Sequence, residues 1–180
     1  MTETPSAAAH KEDGLRHFRD GMYPEALAAF EKARESFEEG GDFANAAEML
    51  NNTGVVHRTE GRRDEAIVAL QKAQTAFEEF GDRNRAAQTL ANIGGVYAGA
   101  KERDKAIVTY RQASEVFAEL GDGDRQGATL LALGNVQLKQ ARWGDAMATF
   151  YAGLSALKKP SLFQRLFLWL LKTALNLMGR

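Results

Sequence analysis

The sequence of 180 residues has no cysteine and only three prolines, and its last 35 residues contain no acidic side chain. Without cysteine there is no disulfide framework, no zinc–thiolate site and no thiol nucleophile, and the redox compartment is left unspecified. The opening MTETPSAAAHKEDG lacks a basic stretch followed by an apolar run. Neither a secretory signal nor a typical transit peptide is therefore expected, and the protein reads as cytoplasmic. The length suffices for one domain with its own core, without covalent or metal staples.

Charge is unevenly placed. Residues 1–145 hold 18 Lys and Arg against 24 Asp and Glu, a balance of −6, while Lys158, Lys159, Arg165, Lys172 and Arg180 give the remainder +5. Such asymmetry directs the C-terminal segment toward something anionic. The acidic body, with no basic patch interleaved with aromatics, argues against nucleic acid.

What is present is a repeat with a period of forty residues. Gly-Asp recurs at 41–42, 81–82 and 121–122. Glycine recurs at 14, 54, 94 and 134, alanine at 26, 66, 106 and 146. Phe30, Leu70, Tyr110 and Phe150 share a column, as do Phe37, Phe77, Phe117 and Leu157. Within each unit the apolar residues follow helical spacing, as in Ala66, Leu70, Ala73 and Phe77, so each unit reads as two helices. The Gly-Asp boundary supplies a left-handed residue to end one helix and an acceptor to start the next. Inside the unit, Pro24 suits a first helical position, and Asp64 and Asp104 are expected to cap the second helix. Small residues in both helices allow close approach of the axes while aromatics fill the adjoining hollow. Hairpins of this kind bury their apolar faces only by stacking, which makes a solenoid.

The segment LANIGGVYAGAKERDKAIVTYRQA (90–113) resembles the tetratricopeptide repeat, with Ile93-Gly94, Tyr97, Ala106, Tyr110 and Ala113 at the motif positions. Residues 49–73, 130–153 and 14–33 are further copies. The forty-residue period is similar to the longer subclass found in kinesin light chains and polarity adaptors. Thr53 departs from the motif's leucine, His57 and Gln137 depart from its tyrosine, and the closing proline is absent. The resemblance implies an all-α, right-handed superhelical solenoid of about four helix pairs over residues 6–160. Residues 1–5 are expected to be disordered, and residues 161–180 to form a C-terminal basic amphipathic helix.

Chemistry is sparse. His17 and His57 share a repeat column, but scattered histidines and acids on a charged helical surface do not make a metal or catalytic site. IGGVYAGA (93–100) follows no strand, so its glycines read as helix packing. No catalytic residue, metal or cofactor is expected, and the protein is read as a non-enzyme. By resemblance, the first helix of each unit lines a concave groove for an extended peptide or partner helix. Asn52, Asn92 and Asn135 would meet the ligand backbone there, and Arg58 and Lys139 its acidic side chains. A clamp for C-terminal carboxylates of the chaperone-binding kind is not expected, because only Lys11 fits it and Leu15 breaks the set.

The tail SLFQRLFLWLLKTALNLMGR (161–180) follows Pro160. At 100° per residue, Phe163, Leu166, Phe167, Leu170, Leu171, Ala174, Leu175, Leu177 and Met178 cover about half the circumference, with Trp169 at the margin and Leu168 on the polar side. Spanning is disfavoured, because Arg165 and Lys172 interrupt a run short of the ~20 apolar residues needed. Three readings stay open: a cap on the last repeat, an anionic membrane surface, or pairing with another chain. The docking residues in the latter two are Phe163, Phe167, Trp169, Leu170, Leu171 and Lys172. The sequence thus describes an interaction adaptor whose tail docks at a membrane surface or assembly, with an oligomerising scaffold as the alternative. Its expected partners are a protein or peptide, an anionic membrane reached through residues 161–180, or a second copy.

Overpacking tests the small-residue columns: replacing Ala66 or Ala106 by leucine is expected to cost about 1–3 kcal/mol. Thermal unfolding of either variant should show a lowered midpoint, and a midpoint equal to the parent's would remove that packing argument.

Overall fold

The structure, a computed structural model, describes residues 6–178. The expected disordered segment 1–5, and Gly179 and Arg180, lie outside the described residues. The described chain is all-α: α1 (Ala7–Arg19), α2 (Tyr23–Glu39), α3 (Phe43–Thr59), α4 (Arg63–Glu79), α5 (Arg83–Gly99), α6 (Arg103–Glu119), α7 (Gly123–Lys139), α8 (Trp143–Ala156) and α9 (Leu162–Met178).

The turns between α1 and α8 share one construction. The residues at 21, 41, 61, 81, 101, 121 and 141 all have positive φ, between 58° and 76°. At the first Gly-Asp boundary the Gly41 N–H donates to the Glu38 carbonyl at 3.0 Å and the Asp42 N–H to the Phe37 carbonyl at 2.8 Å. Those two bonds satisfy the carbonyls left over at the end of α2. Equivalent pairs close the other six turns, from Gly21 and Met22 to Ala141 and Arg142. Asp42, Asp82 and Asp122 then accept from the backbone N–H groups of Asn45, Arg85 and Arg125, at 3.1, 2.9 and 3.1 Å. The boundary dipeptide therefore ends one helix and starts the next.

The expected caps Asp64 and Asp104 are corrected. The N-cap residues of α4 and α6 are Arg62 and Glu102, neither with a side-chain cap bond, while Asp64 and Asp104 lie inside the first turn. The left-handed turn consumes three residues and sets the cap at Arg62 and Glu102, so both aspartates fall two residues past the capping position. There they face the positive end of the helix dipole instead.

Contacts divide the chain into two compact units, Met1–Val96 and Tyr97–Arg180, with the boundary inside α5. In the first, α1, α2, α3 and α4 pack in succession. Ala26, Phe30, Ala33, Met49 and Val56 form one buried cluster, closed by Leu15, Phe18 and Phe37. Ala47, Ala73, Phe77 and Ala86 form another. The glycine column is a contact: a Cβ on Gly14 would stand 2.6 Å from the Phe30 ring, and one on Gly54 2.5 Å from Leu70. Each fully buried side chain of this size contributes about 1.5–3 kcal/mol.

In the second unit, α6, α7 and α8 pack in succession and α9 lies against α8. Gly134 repeats the glycine contact, 2.7 Å from the Phe150 ring. At the far end the two helices come closer still, since a Cβ on Gly127 would stand 2.7 Å from both the Gly153 carbonyl and the Leu157 side chain. Here the pattern of turns stops. α8 ends three residues short of the 17 found in α2 to α7, at an extended Leu157 (φ −64°, ψ 129°). The Lys158 N–H donates to Asp124 Oδ1 at 3.0 Å, fastening the connection to the start of α7. After Pro160, Ser161 and Gln164 cap α9 reciprocally: Ser161 N–H donates to Gln164 Oε1 at 2.7 Å and Gln164 N–H to Ser161 Oγ at 3.3 Å. This capping box gives α9 a start of its own.

Five of the seven left-handed positions are glycine, but Lys101 and Ala141 are not. Because a β-carbon is disfavoured in that region, Lys101→Gly and Ala141→Gly should each stabilise the protein by about 0.5–1 kcal/mol. Urea unfolding midpoints should rise for both, whereas Gly61→Ala should lower the midpoint; no movement in any of them would contradict the assignment of strain to these turns.

Candidate functional site

In the first unit the polar residues of α3 and α5 meet at one network. Asn92 donates through Nδ2 to Asn51 Oδ1 at 3.0 Å, and Arg58 Nη1 lies at the outer limit of bonding, 3.5 Å from Asn92 Oδ1. The Thr89 hydroxyl sits 2.9 Å from the Arg85 carbonyl and 3.2 Å from Asn51 Oδ1; its single proton serves one at a time. Asn51 and Thr89 are buried, whereas Arg58 and Asn92 are half-buried. The expected groove residues Arg58 and Asn92 are thus brought together, and they turn part of their bonding capacity toward each other. Asn52 occupies the same repeat column as Asn92, half-buried on α3.

Arg85 braces this face. It pairs with Asp82 at 2.5 Å, reaches the Ala44 carbonyl at 3.4 Å and lies 4.8 Å over the Phe77 ring. Burial works against the Asp82 carboxylate, but the Arg85 backbone N–H and guanidinium outweigh it and hold its pKa below the usual range.

In the second unit Asn135 and Lys139 are exposed one turn apart on α7. An i, i+4 spacing sets both on one helical face. Neither makes a hydrogen bond or ion pair among the described residues.

Asn51 was not singled out from the sequence. Its column holds Ala91 and Leu131 in the next two repeats, and a polar residue where those later repeats are apolar was the available signal. A buried amide needs partners, and Thr89 and Asn92 supply them.

His17 and His57 sit in their shared column with a buried Nδ1 that has no hydrogen-bond partner, and the column continues to Gln137, whose Oε1 is likewise buried without one. Among the described residues no group of three His, Asp or Glu side chains is placed to hold a metal ion. Burial first, and the Arg62 guanidinium second, push the His57 imidazole below its ordinary pKa, with Glu65 and Glu60 opposing.

On α9, Phe163, Phe167, Trp169, Leu170 and Lys172 are exposed. Leu171 is corrected: at 5 % exposure it is buried, and Leu168, expected on the outer side, is half-buried. The helix is rotated so that the row Gln164, Leu168, Leu171 and Leu175 faces inward, which removes Leu171 from any docking surface. No helix among the described residues is long and apolar enough to cross a membrane.

The family model described as Soluble NSF attachment protein, SNAP, matches residues 20–164. No curated protein sequence matches the chain. Among solved structures, the chain is similar to the apo form of RapI, with a TM-score of 0.75 and 14% identity over 93% of this chain and 48% of that one. It is also similar to BtubC (BKLC) from P. vanneervenii, with a TM-score of 0.73 and 19% identity over 83% and 62%. A Rap protein complexed with Competence and Sporulation Factor gives a TM-score of 0.71 and 16% identity over 83% and 42%. The chain therefore spans between 42% and 62% of the length of these structures, and at such identities the likeness is one of fold. That fold is a tetratricopeptide-like helical repeat.

His57 makes a pH dependence. A histidine whose folded pKa is depressed folds best neutral, so stability is full above the unfolded value of about 6.5 and falls as pH drops from there toward the folded value. Melting temperature is expected to decline between pH 7.5 and pH 5.5, a window set by that ~6.5 reference. The decline should shrink in His57→Gln, which places in α3 the side chain that Gln137 places in the same column of α7. An unchanged slope in the variant would assign the decline to other groups.

Proposed function

The chain belongs to the soluble NSF attachment protein family, and on that footing we propose that it is a non-enzymatic interaction adaptor. It binds a peptide or partner helix along the first helices of its repeats, and its C-terminal helix docks it to a membrane surface or assembly. Its working place is the cytoplasm, peripheral at the membrane when docked. The observation that carries the reading is the set of amide and cationic side chains on α3 and α5 in the first unit and on α7 in the second. Asn52, Asn135 and Lys139 have no partner among the described residues, whereas Asn92 and Arg58 hold one another loosely at 3.5 Å. Free amides at helical spacing suit the alternating N–H and C=O groups of an extended backbone, and Arg58 and Lys139 suit acidic side chains. The similarity in fold to a Rap protein complexed with Competence and Sporulation Factor supports this reading.

Selection of a random peptide library on the full chain tests the proposal. Recovered peptides should carry acidic residues, and Asn135→Ala and Lys139→Glu should each weaken their binding about 3–10-fold by isothermal titration, the worth of one exposed polar contact. A library that yields no binder, or binders indifferent to Asn52, Asn135, Arg58 and Lys139 variants, would overturn it.

A further inference from the structure

Down its axis α9 divides into three arcs. Gln164, Leu168, Leu171 and Leu175 face inward, with Leu171 at 5 % exposure and the others half-buried. Arg165, Lys172 and Asn176 form a polar arc beside them, all exposed. The third arc, about 120° wide at 100° per residue, faces away from α8. It carries Leu162, Phe163, Leu166, Trp169, Leu170 and Leu177, exposed by 83, 78, 56, 60, 50 and 69 %. Thr173 is the one hydroxyl within this arc, and it donates to the Trp169 carbonyl at 3.0 Å, so its polar hydrogen needs no water. A contiguous apolar face of this size on a described surface marks a place that something covers.

The charges say what covers it. In the body, Arg16, Arg34, Arg85, Arg125 and Arg142 each reach a carboxylate at 2.5–2.6 Å. Arg165 and Lys172, and Lys158 and Lys159 just before α9, reach none among the described residues, and no acid stands within residues 146–180. A second copy of α9 laid on the first would bring more cations and no anion. The apolar arc is also a convex cylinder edged on one side by cations, without the acceptors that a folded partner would pair with.

We propose that α9 lies in the interface of an anionic membrane, with Leu162, Phe163, Leu166, Leu170 and Leu177 in the acyl boundary and Arg165, Lys172, Lys158 and Lys159 on the lipid phosphates. This deepens the docking part of the function proposed above and rests on it. A helix of 17 residues is about 26 Å long at 1.5 Å per residue, shorter than the ~30 Å hydrocarbon core. Lying flat, it presents its whole apolar arc while the Lys and Arg stems reach outward to the headgroups. Trp169, beside Asn176 and Arg165 at the edge of the arc, takes the headgroup level that indoles favour. The inward row stays on α8, so the body is held against the membrane without unfolding of the tail.

The full chain, with Trp143→Phe so that Trp169 is the single indole, is mixed with vesicles of phosphatidylcholine alone or with about one third phosphatidylglycerol. Flotation should recover the protein with the anionic vesicles on the order of 100-fold more than with the neutral ones, falling at high salt, and Trp169 emission should shift to the blue. Leu166→Glu with Leu170→Glu, both at exposed positions, should abolish flotation while keeping the melting temperature, and Arg165→Glu with Lys172→Glu should remove the preference for anionic lipid. Absence of flotation, or flotation indifferent to Leu166→Glu with Leu170→Glu, overturns the proposal. Sedimentation of the lipid-free chain as a dimer that this double variant dissolves overturns it in favour of a second copy. Peptide titrations on the same variants separate the two readings: peptide binding that survives while flotation fails refutes the lipid face alone.

Discussion

From residue 21 to residue 141 every twentieth residue passes through the left-handed region, and the helices, their caps and their packing all follow from that spacing. Seventeen helical residues and a three-residue turn make twenty, so successive helices start in the same rotational phase relative to the turn. Apolar residues at fixed offsets then return to the same side of each helix. Glycine at 14, 54 and 134 meets the second helix at its large side chain, and alanine at 26, 66, 106 and 146 lies fully buried opposite. The turn sets the register that brings these columns together, and the columns remove the side-chain volume that would hold the helices apart.

The forty-residue period, the two-helix unit and the small-residue columns were legible because each rests on residue types that few other residues replace. The twenty-residue period of the backbone was not. Lys101 and Ala141 carry the left-handed conformation without glycine, so alternate turns look unrelated in sequence although their hydrogen bonds are the same. Tertiary packing of the flanking helices overrides the local preference there. The same three-residue turn explains why Asp64 and Asp104 fall inside their helices: an acid near a helix start fits both the cap and the first turn, and only the backbone geometry separates the two.

The candidate site was partly legible. Asparagines on first helices were visible as residues, and the structure places Asn92 and Arg58 in contact while leaving Asn135 and Lys139 to solvent. What the sequence alone could not supply was Asn51, whose buried oxygen accepts from Asn92 and fixes that amide's orientation. A partner seen only across forty residues of chain requires the helix pairing first. Position and register therefore decide whether an asparagine reads as surface polarity, core ligand or binding group.

The tail departs from the body at the point where the repeat's next turn would fall. Gly-Asp at 41, 81 and 121 has no counterpart at 161, where the sequence reads Pro-Ser-Leu, and α8 accordingly ends in extended backbone instead of a left-handed turn. The next helix does not enter the repeat's rotational phase. It restarts from its own capping box, with Lys158 fastened on Asp124 just before it, and meets α8 along a narrow inward row. In α2 to α7 the phase set by the turn puts apolar residues inside. In α9 that control is gone, and large apolar residues outnumber what a single inward row can hold, so the greater part of them faces outward. A helix whose outer face remained polar would serve as an end cap. This one packs its inner row on α8 and leaves an apolar outer arc exposed.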